Sequence, residues 1–223
     1  MGEAIRLTAS DGFVCDAYVA RPDGVPRAGI VVLQEIFGVN AHIRSVVDRY
    51  AAEGYLSVAP ALFDRAEPGF QSGYQPEDMP RAFAMIGKVA SEPALLDIAA
   101  AIKFAAEAGK VGVVGFCWGG TLAWSAAAQL PRLSAAVGYY GGGVLGLTEL
   151  QPNCPTILHF GAKDGHISVD KVREFAASRP DVPVFVYEGA DHGFNCDARA
   201  SYNAEAAKLA QQQSLAHFAT YLA

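Results

Sequence analysis

The stretch "KVGVVGFCWGGTLAWSAAAQ", Lys110–Gln129, has no charged side chain after its first residue and holds one cysteine between glycines. The valines of Val111–Val114 predict a short buried strand, and the alanine-rich segment Trp118–Gln129 predicts a helix. Between them the chain must turn sharply at Cys117, with a glycine two residues before it and two after it. This order is typical of the nucleophile elbow, in which small neighbours let strand and helix pass each other.

An elbow lifts its central side chain above the edge of the sheet, so Cys117 is a candidate nucleophile. The positive end of the following helix would favour a thiolate at that position. The competing interpretation is a small buried apolar residue, because free cysteines often pack in this way. The motif alone leaves both interpretations open.

The rest of the chain alternates strand-like and helix-like segments after an initial hairpin. Continuous apolar strands separated by helices indicate a mostly parallel sheet that is covered on both faces. We therefore expect an α/β fold, an eight-stranded α/β-hydrolase sheet flanked by helices, in one domain of residues 1–223. Strands are predicted at Ala4–Thr8, Phe13–Ala20, Ile30–Gln34, Tyr55–Ala59, Val111–Val114, Ala135–Tyr139, Thr156–Phe160 and Val182–Tyr187. Helices are predicted at His42–Glu53, Pro80–Lys88, Pro93–Ala108, Trp118–Gln129, Val169–Ser178 and Ala204–Leu222.

A nucleophile needs a base, and the base needs an acid that orients it. In α/β-hydrolase topology these follow in the order nucleophile, acid, histidine, each after a later strand. Asp164 follows one predicted strand and His192 follows the next, so Cys117, Asp164 and His192 are predicted to form a triad. Asp191 is the alternative acid, and His166 lies in the turn after Asp164. The remaining histidines are expected to be packing or surface residues: His42, His159 and His217.

A carboxylate ends the otherwise apolar strand that precedes "QEIFGVN". In this topology, the loop after that strand and the residue after the nucleophile each supply one oxyanion-hole amide, here those of Ile36 and Trp118. Glu35 would then lie close to the Cys117 sulfur and oppose its ionisation until a substrate disturbs the carboxylate. The alternative is a buried pair between Glu35 and a nearby arginine such as Arg44.

Composition excludes several classes of function. A net charge of −6 and an isoelectric point near 5.3 argue against nucleic acid as a partner. Glycines interrupt the one long uncharged run, so no membrane span is expected, and we find no secretion signal. The four cysteines have no paired metal-ligand spacing, which favours reduced thiols in the cytoplasm and no metal. We find no exposed apolar stripe and therefore expect a monomer.

Several motifs together resemble the dienelactone hydrolase (carboxymethylenebutenolidase) family: "QEIFGVN", "VGVVGFCWGG", "AVGYYGGG" and "ADHGFNCDARASYN". A cysteine rather than a serine in the elbow, combined with Glu35, is specific to that family. The resemblance implies the α/β-hydrolase fold and hydrolysis of a small anionic enol-lactone. It also implies a Cys-His-Asp triad, Glu35 as a substrate-sensitive switch, and no cofactor.

The resemblance also implies arginines that hold the substrate carboxylate, since the guanidinium fork matches a carboxylate. Arg81 lies in a segment similar to one such position, and Arg199 could serve as the second, because Cys196 stands where the best-known type has arginine. Tyrosines of the family are replaced by Phe63 and Met85. These departures keep a general carboxylesterase or thioesterase open as the alternative function. A non-catalytic ligand-binding relative would have no reason to retain the triad, and a redox-active thiol protein would need a second cysteine near Cys117.

Overall fold

The computed structural model describes residues 2–223 and contains one eight-stranded sheet. The strands are β1 (Glu3–Thr8), β2 (Val14–Ala20), β3 (Gly29–Leu33), β4 (Leu56–Pro60), β5 (Val111–Phe116), β6 (Leu133–Tyr139), β7 (Thr156–Gly161) and β8 (Val184–Tyr187). The helices are α1 (Ala41–Ala52), α2 (Met79–Ile86), α3 (Ser91–Ala105), α4 (Trp118–Gln129), α5 (Val169–Ser178) and α6 (Ala204–Tyr221). Each predicted strand and helix is present, with small shifts at the boundaries.

The first two strands form the predicted hairpin, and the remaining strands run parallel. β1 and β2 pair antiparallel, and β2 pairs antiparallel with β4. From β4 through β3, β5, β6 and β7 to β8, every neighbouring pair is parallel. A helix or longer connection is needed between parallel strands, which explains the alternation seen in the sequence.

The central strands are apolar on both faces because helices cover both sides of the sheet. In β3, Ile30 and Val32 pack into one core cluster, and Val31 and Leu33 pack into the other. Buried residues of α1 and α6 belong to the first cluster, whereas those of α3 belong to the second. No helix within residues 2–223 is long and apolar enough to cross a membrane.

The parallel strands bring four chain-distant residues to one edge of the sheet. Glu35 follows β3, Cys117 follows β5, Asp164 follows β7 and His192 follows β8. The carboxyl ends of parallel strands all open at the same edge, which is where open α/β sheets bind ligands. A short antiparallel bridge between Gly38 and Gln71 joins the segment 64–79 to the loop that follows β3.

Candidate active site

The elbow at Cys117 has the backbone conformation that the glycine spacing predicts. Cys117 has φ 54° and ψ −116°, a positive φ that costs a non-glycine residue free energy. A Cβ atom on Gly115 would lie 1.9 Å from the carbonyl oxygen of Gly119. A Cβ atom on Gly119 would lie 2.5 Å from the carbonyl oxygens of Leu33 and Gln34. Helix α4 can therefore start directly against β3 and β5 only because both positions lack side chains.

The structure brings the three predicted triad residues into one hydrogen-bonded chain. His192 Nε2 lies 3.2 Å from Cys117 Sγ, and His192 Nδ1 lies 2.8 Å from Asp164 Oδ2. The other carboxylate oxygen, Asp164 Oδ1, accepts hydrogen bonds from the amides of His166 at 2.8 Å and Ile167 at 3.0 Å. These two amides fix the carboxylate, which in turn fixes the orientation of the imidazole.

The alternative acid, Asp191, does not contact the His192 ring. Asp191 Oδ1 accepts a hydrogen bond from the backbone amide of His192 at 2.6 Å and faces the amide of Gly165 at 3.4 Å. Its carboxylate therefore shapes the loop that carries the histidine. Asp164 is the acid in the hydrogen-bonded chain.

The surroundings shift the ionisation of the acid and the base in opposite directions. Burial alone would raise the pKa of Asp164, but the hydrogen bond and charge of His192, together with the two loop amides, hold that pKa below its usual range. Burial alone would lower the pKa of His192, but its hydrogen bonds to Asp164 and Cys117 and their negative charges raise it to about 10. The imidazole is therefore a strong proton acceptor beside the sulfur.

Two backbone amides near the nucleophile, one from each of two neighbouring elements, have no hydrogen-bond acceptor among residues 2–223. Trp118 is the first residue of α4, so its amide has no partner within the helix. Within the described residues 2–223, the amide of Ile36 likewise donates no hydrogen bond. Both residues line the same cavity as Cys117. The arrangement can accept an oxyanion on two N–H groups.

The cavity above Cys117 has a volume of about 700 Å³ and walls that are mainly apolar. One wall is formed by α2, whose residues Met79, Phe83 and Ile86 share a helix face at spacings of four and three residues. Among the described residues that line this cavity, Arg199 is the only arginine or lysine. An apolar cavity with one guanidinium suits a small anion with an apolar body.

Glu35 is fully buried and bound to groups other than the nucleophile. The hydroxyl of Tyr74 donates to Glu35 Oε2 at 3.1 Å, and Arg199 Nη1 lies 3.5 Å from Glu35 Oε1. No hydrogen bond joins the Glu35 carboxylate to Cys117 Sγ in the part of the chain that the structure describes. Arg44, the alternative partner, instead donates from Nε to the Val39 carbonyl oxygen at 3.1 Å.

Arg81 does not line the cavity, which differs from the expectation that it contacts the substrate. Its side chain is 61% exposed, forms an ion pair with Glu67 and lies over the ring of Phe70. The helical period explains this placement, since Arg81 is two residues from both Met79 and Phe83 and so points to another side of α2.

Three features around the triad and Glu35 were not predicted from the sequence. Tyr74 lies in a segment without periodicity, and nothing in the pattern places it against Glu35. Tyr140 is fully buried, its ring centroid lies 5.1 Å from that of His192, and its hydroxyl has no partner among residues 2–223. The motif "AVGYYGGG" marked this position without giving it a role. His166 lines the cavity rather than only shaping the turn.

The sequence has curated relatives along nearly its whole length. A relative from Synechocystis sp., provisionally named a carboxymethylenebutenolidase, is 38% identical over 230 residues, covering 92% of this chain and 91% of that protein. The carboxymethylenebutenolidase of Pseudomonas putida is 35% identical over 225 residues, covering 96% of this chain and 94% of that protein.

The fold and the family agree with these relatives. A crystal structure from Klebsiella pneumoniae, provisionally described as a dienelactone hydrolase, has a TM-score of 0.85 and 36% identity, covering 99% of this chain and 100% of that one. An esterase from Pyrococcus furiosus with 16% identity and a TM-score of 0.72 shares the fold. The sequence also matches the profile of the dienelactone hydrolase family over residues 15–222. The chain therefore belongs to the dienelactone hydrolase family and is a hydrolase of the ester and lactone class.

Proposed function

We propose that Cys117, His192 and Asp164 form a catalytic triad that hydrolyses a carboxylate-bearing enol-lactone through a thioester. The observation that carries this proposal is the unbroken chain from sulfur to imidazole to carboxylate, with steps of 3.2 Å and 2.8 Å. Cys117 and His192 line an apolar cavity that also contains the guanidinium of Arg199. Nucleophile, base and orienting acid thus have the geometry that acyl transfer requires.

Acylation starts from the pair in which the thiol proton of Cys117 has already passed to His192 Nε2. The sulfur attacks the lactone carbonyl carbon, and the amides of Ile36 and Trp118 hold the negative charge on the carbonyl oxygen. Collapse of the tetrahedral intermediate breaks the ring C–O bond, so an enolate leaves and a thioester remains on Cys117. The proton held by His192 passes to the leaving group.

Deacylation consumes one water molecule. His192 takes a proton from the water while Asp164 stabilises the resulting imidazolium, and the hydroxide attacks the thioester carbonyl carbon. The C–S bond breaks, the carboxylic acid product leaves, and the proton on His192 returns to the sulfur. One lactone and one water thus give one ring-opened acid.

Arg199 is the proposed anchor for the substrate carboxylate, with Glu35 as its occupant before binding. The guanidinium lies 3.5 Å from Glu35 Oε1 and also borders the cavity, so a substrate carboxylate competes with Glu35 for it. Substrate binding then breaks the ion pair between Glu35 and Arg199. Recognition of the substrate anion thereby changes the charge near Cys117. We therefore propose that Glu35 is a switch that responds to the substrate anion. Arg81 is not part of this proposed site.

A general carboxylesterase or thioesterase of the same fold is the second candidate function. The volume of about 700 Å³ favours it, because such a cavity exceeds what a small lactone fills. The predominance of apolar walls also suits neutral acyl groups. A ring-opening hydrolase for an anionic lactone and a broad esterase would use the same triad and differ in their dependence on Arg199.

The test compares three substrates in wild type and two variants. The substrates are a carboxylate-bearing enol-lactone, a neutral aryl ester and hydrogen peroxide. Each is supplied to wild type, Cys117→Ala and Cys154→Ser, and Cys154→Ser is the matched thiol control. We expect lactone turnover in wild type and Cys154→Ser and none in Cys117→Ala. Turnover of the ester alone favours the second candidate. Full activity of Cys117→Ala would refute the proposed nucleophile.

A further inference from the structure

A second group of chemically reactive side chains lies behind the active site. One oxygen of Glu35, one ring nitrogen of His42 and the Sγ atom of Cys196 all lie within 4.8 Å of one another, and the three residues are buried. Glu35 follows β3, His42 belongs to α1 and Cys196 lies in the loop after His192, so no short sequence motif predicts the cluster. A carboxylate, an imidazole and a thiol are the three ligand types that zinc binds in proteins.

The imidazole of His42 carries an unused lone pair. Its Nδ1 lies 3.0 Å from Asp197 Oδ1, and because a carboxylate only accepts hydrogen bonds, Nδ1 must carry the proton. Nε2 of the neutral ring is then an acceptor. That atom is buried, on a side chain only 1% exposed, and has no hydrogen-bond partner among residues 2–223. A buried acceptor without a donor requires an explanation.

The groups around the cluster hold its members in place by hydrogen bonds, as the residues behind metal ligands do in metalloproteins. A histidine that binds a metal typically donates its other ring N–H to a carboxylate, as His42 donates to Asp197. A ligating carboxylate is typically held by a hydrogen bond, as Glu35 is by the hydroxyl of Tyr74 at 3.1 Å. Both supports are thus in place around the three ligands.

We propose that Glu35, His42 and Cys196 bind a divalent transition-metal ion of the zinc class, beside but separate from the hydrolytic triad. Tetrahedral zinc places its ligand atoms about 3–4 Å apart, so the observed cluster needs to contract by roughly 1 Å. Binding releases one proton, from the Cys196 thiol, and uses the lone pair of His42 Nε2. A water molecule completes the coordination.

The metal and Arg199 compete for the same carboxylate. Arg199 Nη1 lies 3.5 Å from Glu35 Oε1, so a metal bound to Glu35 replaces this ion pair with a direct bond. The arginine is then released toward the cavity above Cys117, which it lines. His42, Tyr74 and Ala198 also line a second cavity, of about 460 Å³, which brings solvent next to the histidine of the cluster.

Cobalt(II) is the probe for this site because a thiolate bound to it gives a charge-transfer band in the near ultraviolet. The full chain is titrated with Co²⁺ under reducing conditions, followed by displacement with Zn²⁺. We expect the band in wild type, its loss in Cys196→Ser, and its retention in the thiol controls Cys117→Ser and Cys154→Ser. This readout is independent of hydrolytic activity.

A surface variant guards against effects of misfolding. Asp197 is exposed, so Asp197→Asn should preserve the fold and weaken Co²⁺ affinity roughly 10- to 100-fold through His42. Asp170→Asn, at another exposed acidic residue, should leave the affinity unchanged. The proposal is overturned if wild type shows no band, if the band depends on Cys117 rather than Cys196, or if Asp197→Asn and Asp170→Asn bind equally.

Discussion

Replacing Asp164 by asparagine removes a negative charge and also replaces one of the two hydrogen-bond acceptors of this side chain with an NH₂ donor. The amides of His166 and Ile167 donate to Asp164 Oδ1, so the amide oxygen of Asn must take that position. Its NH₂ group then occupies the position of Oδ2, 2.8 Å from His192 Nδ1. Nδ1 becomes an acceptor, and the ring proton moves to Nε2, which faces Cys117 Sγ. An imidazole in this tautomer cannot take the thiol proton.

The expected loss is large because the base is present but in the wrong tautomer. The corresponding substitution in a serine-protease triad reduces kcat by about 10⁴, and we expect roughly 10³–10⁴ here. Since each factor of ten corresponds to about 1.4 kcal/mol, the barrier rises by about 4–6 kcal/mol.

The assay is kcat/KM for a carboxylate-bearing lactone and a neutral aryl ester, measured for wild type, Asp164→Asn and Asp191→Asn. Asp191 is the matched control, because its carboxylate contacts the backbone amide of His192 and not the ring. Circular dichroism and thermal melting exclude misfolding. A loss below tenfold in Asp164→Asn, or a greater loss in Asp191→Asn, would refute the assignment of the orienting acid.

Three further results are expected. Since the pKa of His192 rises from 6.5 to about 10 on folding, its stabilising contribution is full below pH 6.5 and is lost as the pH rises through about 10. The unfolding free energies of wild type and His192→Gln, measured across this range, should therefore converge toward high pH. Arg199→Gln should lower kcat/KM about 10- to 100-fold for the carboxylate-bearing lactone alone, and Arg81→Gln should leave it unchanged; equal effects in kinetic assays would contradict our choice of anchor. Gly119→Ala places a methyl group 2.5 Å from two carbonyl oxygens at the end of β3, so urea denaturation should show that the free energy of unfolding falls by about 1–3 kcal/mol. Gly146→Ala is the control, because the space around Gly146 is open, and it should show little change.

The elements and the elbow could be predicted because local patterns determine them. The buried valines of Val111–Val114 allow only a covered strand, and the glycines around Cys117 are required by the close approach of strand and helix. The order of Asp164 and His192 after successive strands then places both at the same edge of the sheet. Topology converts chain order into spatial proximity here, which explains why the hydrogen-bonded chain could be anticipated.

The surroundings of Glu35 could not be predicted from the sequence because its partners come from distant segments. Arg199 lies 164 residues away along the chain, and Tyr74 belongs to an aperiodic segment. The orientation of Arg81 depends on which face of α2 packs inward, and a helix of eight residues with apolar groups on several sides does not specify that face. Such contacts follow from tertiary packing rather than from local pattern.

The imidazole at the centre of the proposed chemistry lies in the loop that follows the shortest strand of the sheet, β8, which is also an edge strand. β8 has four residues, all only partly buried, and pairs with β7 on one side alone. A short strand at the margin of a sheet opens more easily than the strands at its centre. Moderate heat or denaturant should therefore detach His192 while the core remains folded, so that inactivation precedes global melting and is reversed on cooling.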